Sequence, residues 1–274
     1  SAAGTGIPCD FSVNQEWNTQ LIEKAKTAHF ENPWFTEDNV LLSYKALGSV
    51  LQKEKIESWL GNYQLPAENH KPKRIAVIMA GNIPLAGFHD FLCVLITGNF
   101  FLGKPSNRDG GLMQTLVEVL CSIEPSFSEK ITFSEGRLDG FDAVIASGSN
   151  NTGRYFEYYF GKYPNIIRRH RNSIAVLDGS ETEEDIKALA NDIFSYFGMG
   201  CRNVSKIYVP DGYNLNRFFE IIEPWNHLRH HNKYANNYDY HQSVYLMNKI
   251  PFLDNGFALL KDDHEIYSPL AVIF

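Results

Sequence analysis

Cys201 is the side chain in this sequence best placed for covalent chemistry. It stands in Phe197-Gly198-Met199-Gly200-Cys201-Arg202-Asn203, beyond a predicted helix, with glycines before it and a cation beside it. Backbone freedom and a neighbouring positive charge both favour an accessible thiolate, the nucleophilic form of the side chain. The plain alternative is a small buried residue at a helix end, since free cysteine usually packs as core. Three more segments put polar groups at the ends of predicted strands. Gly148-Ser149-Asn150-Asn151-Thr152-Gly153 lies between a strand and a helix. Glycine there lets backbone N–H groups approach an anion, and a helix N-terminus attracts phosphate. The segment departs from GxGxxG and reads equally as a tight turn with an N-cap. Asn99 through Lys104-Pro105-Ser106 places a lysine at a strand's carboxyl end, which faces either the ligand crevice of an open sheet or only solvent. Gly81-Asn82-Ile83-Pro84 also follows a strand, and its Asn82 amide could donate to an oxyanion or cap the next helix.

The elements that must hold these residues are visible in the hydrophobic pattern. Residues 10 to about 63 read as helical, with Trp17, Leu21, Ile22 and Ala25 at helical spacing, and Leu41, Leu42, Tyr44, Leu47, Val50 and Leu51 likewise. Pro66 through Pro72 reads as a linker. Short apolar runs at 75–79, 99–104, 130–133, 142–146, 173–177 and 205–209 read as strands. Helices are predicted before Ile96, over 112–123, over 153–163, and from the acidic cluster at 181–185 to about Phe197. Strands alternating with helices through short turns predict an α/β fold with a parallel, doubly wound sheet.

Composition sets the outer limits. At 274 residues, 44% hydrophobic and 21% charged, the chain has enough apolar material for one or two domains, and disorder and fibrous repeats are excluded. A net charge of −7 argues against nucleic acid or an anionic membrane as partner. The apolar stretch Phe91 to Ile96 is far short of the ~20 residues a membrane span needs. Four cysteines (Cys9, Cys93, Cys121 and Cys201) form no CxxC pair, so a zinc ribbon is excluded and a reducing compartment, most simply the cytoplasm, is expected. His227-Leu228-Arg229-His230-His231 lacks the spacing and glutamate of a zincin helix, so no metal is expected. Tyr234 to Tyr245 reads as packing around a channel or interface rather than a base-stacking platform. The first six residues lack the features of a signal peptide. The absence of an initiator Met and the apolar run Ala271 to Phe274 predict a fragment with further sequence beyond the C-terminus.

Taken in order, these segments resemble the aldehyde dehydrogenase superfamily, and most closely its LuxC-type acyl-CoA reductase branch, from about Arg74 onward. Asn82 and Pro84 are similar to the segment carrying the oxyanion asparagine. Lys104-Pro105-Ser106 is similar to the Lys-Pro-Ser adenosine-ribose segment, and Gly148 to Gly153 to the phosphate turn. Cys201 falls where the nucleophile falls. His264-Glu265-Ile266-Tyr267-Ser268-Pro269 resembles the Glu-Ile-Phe-Gly-Pro stretch whose glutamate holds the nicotinamide ribose. The resemblance implies an N-terminal helical segment (1–70), a nucleotide-binding domain (71–172) and a catalytic domain (173–274). It also implies reduction of a long-chain acyl-CoA to the fatty aldehyde through a Cys201 thioester, with Asn82 in the oxyanion hole. Lys104, Ser106, Arg108, Gly148, Ser149, Gly153, Glu265 and Tyr267 would then bind the cofactor.

One departure from the superfamily is informative. Hydrolytic members carry a glutamate about 34 residues before the cysteine, which activates water. The corresponding stretch here, Arg168-Arg169-His170-Arg171-Asn172-Ser173, has no carboxylate. A thioester without a general base nearby should resist water and exchange with a thiol such as CoA. His170 or the arginines could hold CoA, or form only a solvated face. The position after Lys-Pro-Ser, often Glu in NAD-using relatives, is the neutral Asn107, flanked by Lys104 and Arg108. That arrangement implies NADPH (NADP) as cofactor, because no carboxylate repels a 2′-phosphate. The competing readings are a hydrolytic aldehyde dehydrogenase, a Cys-dependent acyltransferase or thioesterase, and a non-catalytic scaffold. Acyl chain length is not legible, and a homo-oligomer is compatible with the sequence.

Overall fold

A computed structural model describes residues 15–64 and 71–274. The expectations for the first six residues, for helix at 10–14, for Cys9 and for the linker at 66–70 lie outside the described residues. Three helices come first: α1 (Gln15–Glu31), α2 (Glu37–Val50) and α3 (Lys53–Leu60). Then follow β1 (Arg74–Ile78), α4 (Phe88–Ile96), β2 (Phe100–Lys104), α5 (Leu112–Ile123), β3 (Ile131–Phe133), β4 (Ala143–Ser147), α6 (Asn150–Phe160) and β5 (Asn165–Arg168). The remainder is β6 (Ser173–Val176), α7 (Glu183–Phe194), β7 (Val204–Tyr208), α8 (Leu215–Ile222), α9 (Asn232–Met247) and three short strands, β8 (Leu253–Asp254), β9 (Leu259–Leu260) and β10 (Val272–Ile273). Among the described residues no helix is long and apolar enough to cross a membrane.

The first sheet has the order β3-β2-β1-β4-β5, so the direction of winding reverses after β1, as in doubly wound folds. β1 and β2 pair in parallel with Ile75 opposite Phe101, and β2 and β3 in parallel with Phe101 opposite Ile131. Both faces of such a sheet are covered, which explains the uninterrupted apolar runs seen in the sequence. The chain separates into two compact units, Ser1–Ile145 and Ala146–Phe274.

In the first unit α1 and α2 share one core with the sheet. Ala25, Ala28, Phe35 and Val40 pack with Val77, Phe91, Phe101, Leu112 and Met113. Phe91 meets Phe101 edge-on at 4.9 Å between ring centres. Thr36 caps α2 by accepting the Asn39 N–H.

In the second unit β6 and β7 pair in parallel, and α7 packs Ile186, Leu189, Ala190, Ile193 and Phe194 inward. A capping box of Thr182 and Asp185 starts α7 with its acids in the first turn, where the helix dipole favours them. One boundary differs clearly from that predicted. α6 starts at Asn150, three residues before the expected Gly153, because the Ser149 hydroxyl accepts the Thr152 N–H and opens the helix there. The tyrosine-rich stretch is helix α9, with Tyr234, Tyr238 and Tyr245 buried. The Tyr234 hydroxyl donates to the Phe257 carbonyl at 3.1 Å, and the Tyr238 hydroxyl to Asp254 at 2.5 Å.

Candidate active site

Cys201 is exposed, in the turn that follows a segment of strained backbone. Tyr196, Phe197 and Gly198 follow one another in the left-handed region, with φ of 53°, 59° and 77°. For the two aromatic residues this conformation costs about 1–3 kcal/mol each and needs support from its surroundings. Phe197 supplies part of that support, buried with its ring 4.4 Å from His231. Gly198 is favoured by its φ of 77°, and a Cβ there would also stand tightly, 3.2 Å from the Ile193 carbonyl oxygen.

Asn203 supplies the rest. Its buried side-chain oxygen accepts the Gly200 N–H at 2.7 Å. Its amide nitrogen donates to the carbonyls of Asp192 at 2.8 Å, Ser195 at 3.1 Å and Ile193 at 3.3 Å. One side chain thus satisfies carbonyls left open at the end of α7 and ties them to the residue before Cys201. The thiol is presented outward rather than packed at a helix end.

Asn82 is exposed in the turn after β1 and does not cap α4, whose N-cap is Gly87. The turn is packed tightly on the one after β2. A Cβ on Gly81 would lie 2.5 Å from the Cβ and Oγ of Ser106, so only glycine lets the two turns approach. Buried Asn32, just beyond α1, holds both turns. Its amide nitrogen lies 2.9 Å from the Arg108 carbonyl and 3.5 Å from that of Gly81, and its oxygen accepts the Trp34 N–H at 3.2 Å. Ser43 of α2 donates to the Pro84 carbonyl at 3.4 Å. Asn32 and Ser43 carried no sequence signal, because a lone polar residue in a helical segment reads as surface.

At the end of β2 the Lys104 ammonium donates to the Gly136 carbonyl at 2.7 Å. Ser106 Oγ accepts the Arg108 N–H at 3.2 Å, which leaves its own proton free to donate. The Arg108 guanidinium is exposed, and no ion pair engages it among the described residues. These three donors, with no carboxylate between them, suit an anionic nucleotide.

Ser149 is the N-cap of α6, and its carbonyl accepts the Gly153 N–H at 2.8 Å. Gly148 ends the strand side of this turn and bonds the Arg168 carbonyl at 3.1 Å. The arginine stretch is partly neutralised, since Arg169 forms an ion pair with Glu157. His170 stands edge-on to Tyr267, 4.1 Å between ring centres, and burial lowers its pKa from the ordinary histidine value. Glu265 and Tyr267 are exposed on the loop between β9 and β10. The histidines at 227–231 are engaged locally: His227 bonds the Pro224 carbonyl at 2.9 Å, and the His231 ring accepts the Tyr234 N–H at 3.4 Å.

The family model for acyl-CoA reductase (LuxC) matches residues 45–258. The chain belongs to that family. A long-chain acyl-protein thioester reductase of Aliivibrio fischeri is 24% identical over 254 residues, covering 78% of this chain and 51% of the relative. The chain therefore spans about half the length of the curated relatives it matches. Among solved structures, an NADP-dependent enzyme of E. coli superposes with a TM-score of 0.65 at 14% identity, over 91% of this chain and 63% of that one. The indole-3-acetaldehyde dehydrogenase AldA of P. syringae gives 0.63 at 12% identity, over 94% and 64%. The fold of this LuxC-family chain is that of the aldehyde dehydrogenases.

Proposed function

We propose that this chain reduces a long-chain acyl thioester to the aldehyde, using NADPH and a thioester formed on Cys201. The observation that carries the reading is the exposed Cys201 thiol in the turn after a strained segment, clamped by Asn203. A thiol held rigidly and outward attacks a carbonyl without first reorganising its own loop.

Cys201 thiolate adds to the thioester carbonyl, and the Asn82 amide with the Cys201 backbone N–H stabilises the resulting oxyanion. The leaving thiolate departs and the acyl group remains on sulfur. When bound, the reduced nicotinamide supplies the hydride that converts this acyl group to aldehyde. Collapse of the second tetrahedral species then returns the Cys201 thiolate. The stretch 168–173 offers no carboxylate to activate water, and Asn172 within it is committed to hydrogen bonds with Ser205 and Ile266, so the acyl group survives until reduction.

Lys104, Ser106 and Arg108 would hold the adenosine ribose and its 2′-phosphate. Gly148, Ser149 and Gly153 would hold the pyrophosphate, and Glu265 with Tyr267 the nicotinamide ribose. The donor is acyl-CoA in this reading. An acyl-protein donor is the second reading, favoured by the name of the curated relatives. Both predict NADPH consumption with release of one thiol per aldehyde. The deciding assay follows absorbance and free thiol with long-chain acyl-CoA and NADPH. Thiol release without NADPH loss would favour an acyltransferase or thioesterase, and no change in either would favour a scaffold.

A further inference from the structure

We infer that Lys206 and Asn172 are positioning residues that fix the loop bearing Glu265 and thereby set affinity for the nicotinamide cofactor. This rests on the assignment of Glu265 made above. Between the last ladder bonds of β9 and β10, at Lys261 and Ala271, the loop has no strand pairing over residues 262–270. Side-chain donors beneath it hold it instead. Lys206, in β7, is buried, and its ammonium donates to the carbonyls of Asp263 at 2.5 Å and Glu265 at 3.0 Å. Asn172, just before β6, donates to the Ile266 carbonyl at 2.8 Å and to Ser205 Oγ at 2.8 Å. Ser205 Oγ adds a bond to the same Ile266 carbonyl at 3.1 Å. Three carbonyls within four residues are drawn toward the β6–β7 pair, while the side chains of Glu265 and Tyr267 remain exposed.

The choice of lysine is informative. A buried ammonium is costly unless it is neutralised, and Lys206 has no carboxylate partner among the described residues. Its stabilisation comes from the loop carbonyls and from the face of Tyr208, 5.1 Å away. A hydrophobic residue would serve stability as well or better at such a position, so the cation is explained by the geometry it imposes on the loop. The His170 ring, against Tyr267, fixes the far side.

The test compares Lys206→Met, Lys206→Arg, Asn172→Ala and Glu265→Gln in the full-length chain. Two quantities are measured: the NADPH dissociation constant by fluorescence titration, and the rate of Cys201 acylation by long-chain acyl-CoA without cofactor. Lys206→Met should weaken NADPH by about tenfold, the effect of one hydrogen bond from a charged group, and Asn172→Ala by about fivefold, the effect of a neutral one, each with acylation within about twofold of wild type. Lys206→Arg, which keeps charge and donors, should recover most of the affinity, and it carries the test with Asn172→Ala if Lys206→Met does not fold. NADPH binding unchanged in folded variants, while Glu265→Gln weakens it, overturns the inference alone. Equal losses of acylation and NADPH binding overturn it in favour of a general structural role. If Glu265→Gln leaves NADPH binding intact, the assignment of the loop to the cofactor falls and this inference with it.

Discussion

Asn203 Oδ1 accepts the Gly200 N–H at 2.7 Å, and this bond links the residue before the nucleophile to the end of α7. Replacing Asn203 with Ala strands that N–H and up to three helix-end carbonyls. Asn203→Ala should slow acylation of Cys201 by at least about tenfold, because the left-handed segment Tyr196–Gly198 loses its brace. NADPH affinity should hold. The check is the rate of acyl transfer from acyl-CoA to the thiol, measured beside a cofactor titration.

Gly81→Ala forces a methyl to within 2.5 Å of Ser106. The turns after β1 and β2 must separate, at a cost of about 1–3 kcal/mol for overpacking. Because Gly81 precedes Asn82 and faces Ser106, turnover should fall and the KM for NADPH rise together. Thermal unfolding and steady-state kinetics read the two effects separately.

Much of this arrangement is legible in the sequence, and the missing part has a common cause. β1, β2 and β4 announce themselves as apolar runs because both faces of their sheet are covered. α7 is marked by its acidic first turn. β5 was missed because Asn165–Arg168 is a short strand leading into arginines, with no apolar run. α9 hides its helical period because its buried face is tyrosine and the rest is Asn, Asp, His and Gln. In the candidate site, Cys201, Asn82 and Ser106 could be picked out by residue type and spacing. The residues that brace them could not. Asn32 bonds Arg108 across 76 positions and Lys206 bonds Glu265 across 59, and long-range polar contacts leave no periodicity.

In the proposed function, cofactor choice would rest on the turn after β2. Lys104 spends one of its three N–H donors on the Gly136 carbonyl and Arg108 is exposed, so in the proposed site both cations remain available to a 2′-phosphate. One such contact is worth ~1.5–3 kcal/mol, which favours NADPH over NADH by about tenfold or more in kcat/KM. Arg108→Ala should reduce the preference, and Asn107→Glu should turn it toward NADH by repelling the phosphate. Equal kcat/KM values for the two cofactors in the wild-type chain would refute this.

Asp109 gives a pH dependence of stability. Burial raises its carboxyl pKa from 3.8 to about 6, against the Met113 N–H bond and the Lys24 charge that lower it. Between those values the folded chain holds a proton that the unfolded chain has released. This contribution to stability is therefore full below about pH 4, declines as pH rises, and is lost above about pH 6. The ionised group costs on the order of 2–3 kcal/mol at neutral pH. Asp109→Asn keeps an acceptor for Met113 and should raise Tm at pH 7 by several degrees. At pH 4 its Tm should match the wild type, and a gain of equal size at both pH values would contradict the assignment.

The central claim is that Cys201 carries the acyl group and that, with no carboxylate in the stretch 168–173 to activate water, the acyl group is not hydrolysed. Incubating the chain with long-chain acyl-CoA and no cofactor, followed by peptide mass spectrometry, tests this directly. The account predicts a stable acyl adduct on Cys201, discharged as aldehyde when NADPH is added and absent in Cys201→Ser. An adduct on Cys9, Cys93 or Cys121 instead, or rapid release of free acid from Cys201 before NADPH is added, would contradict it.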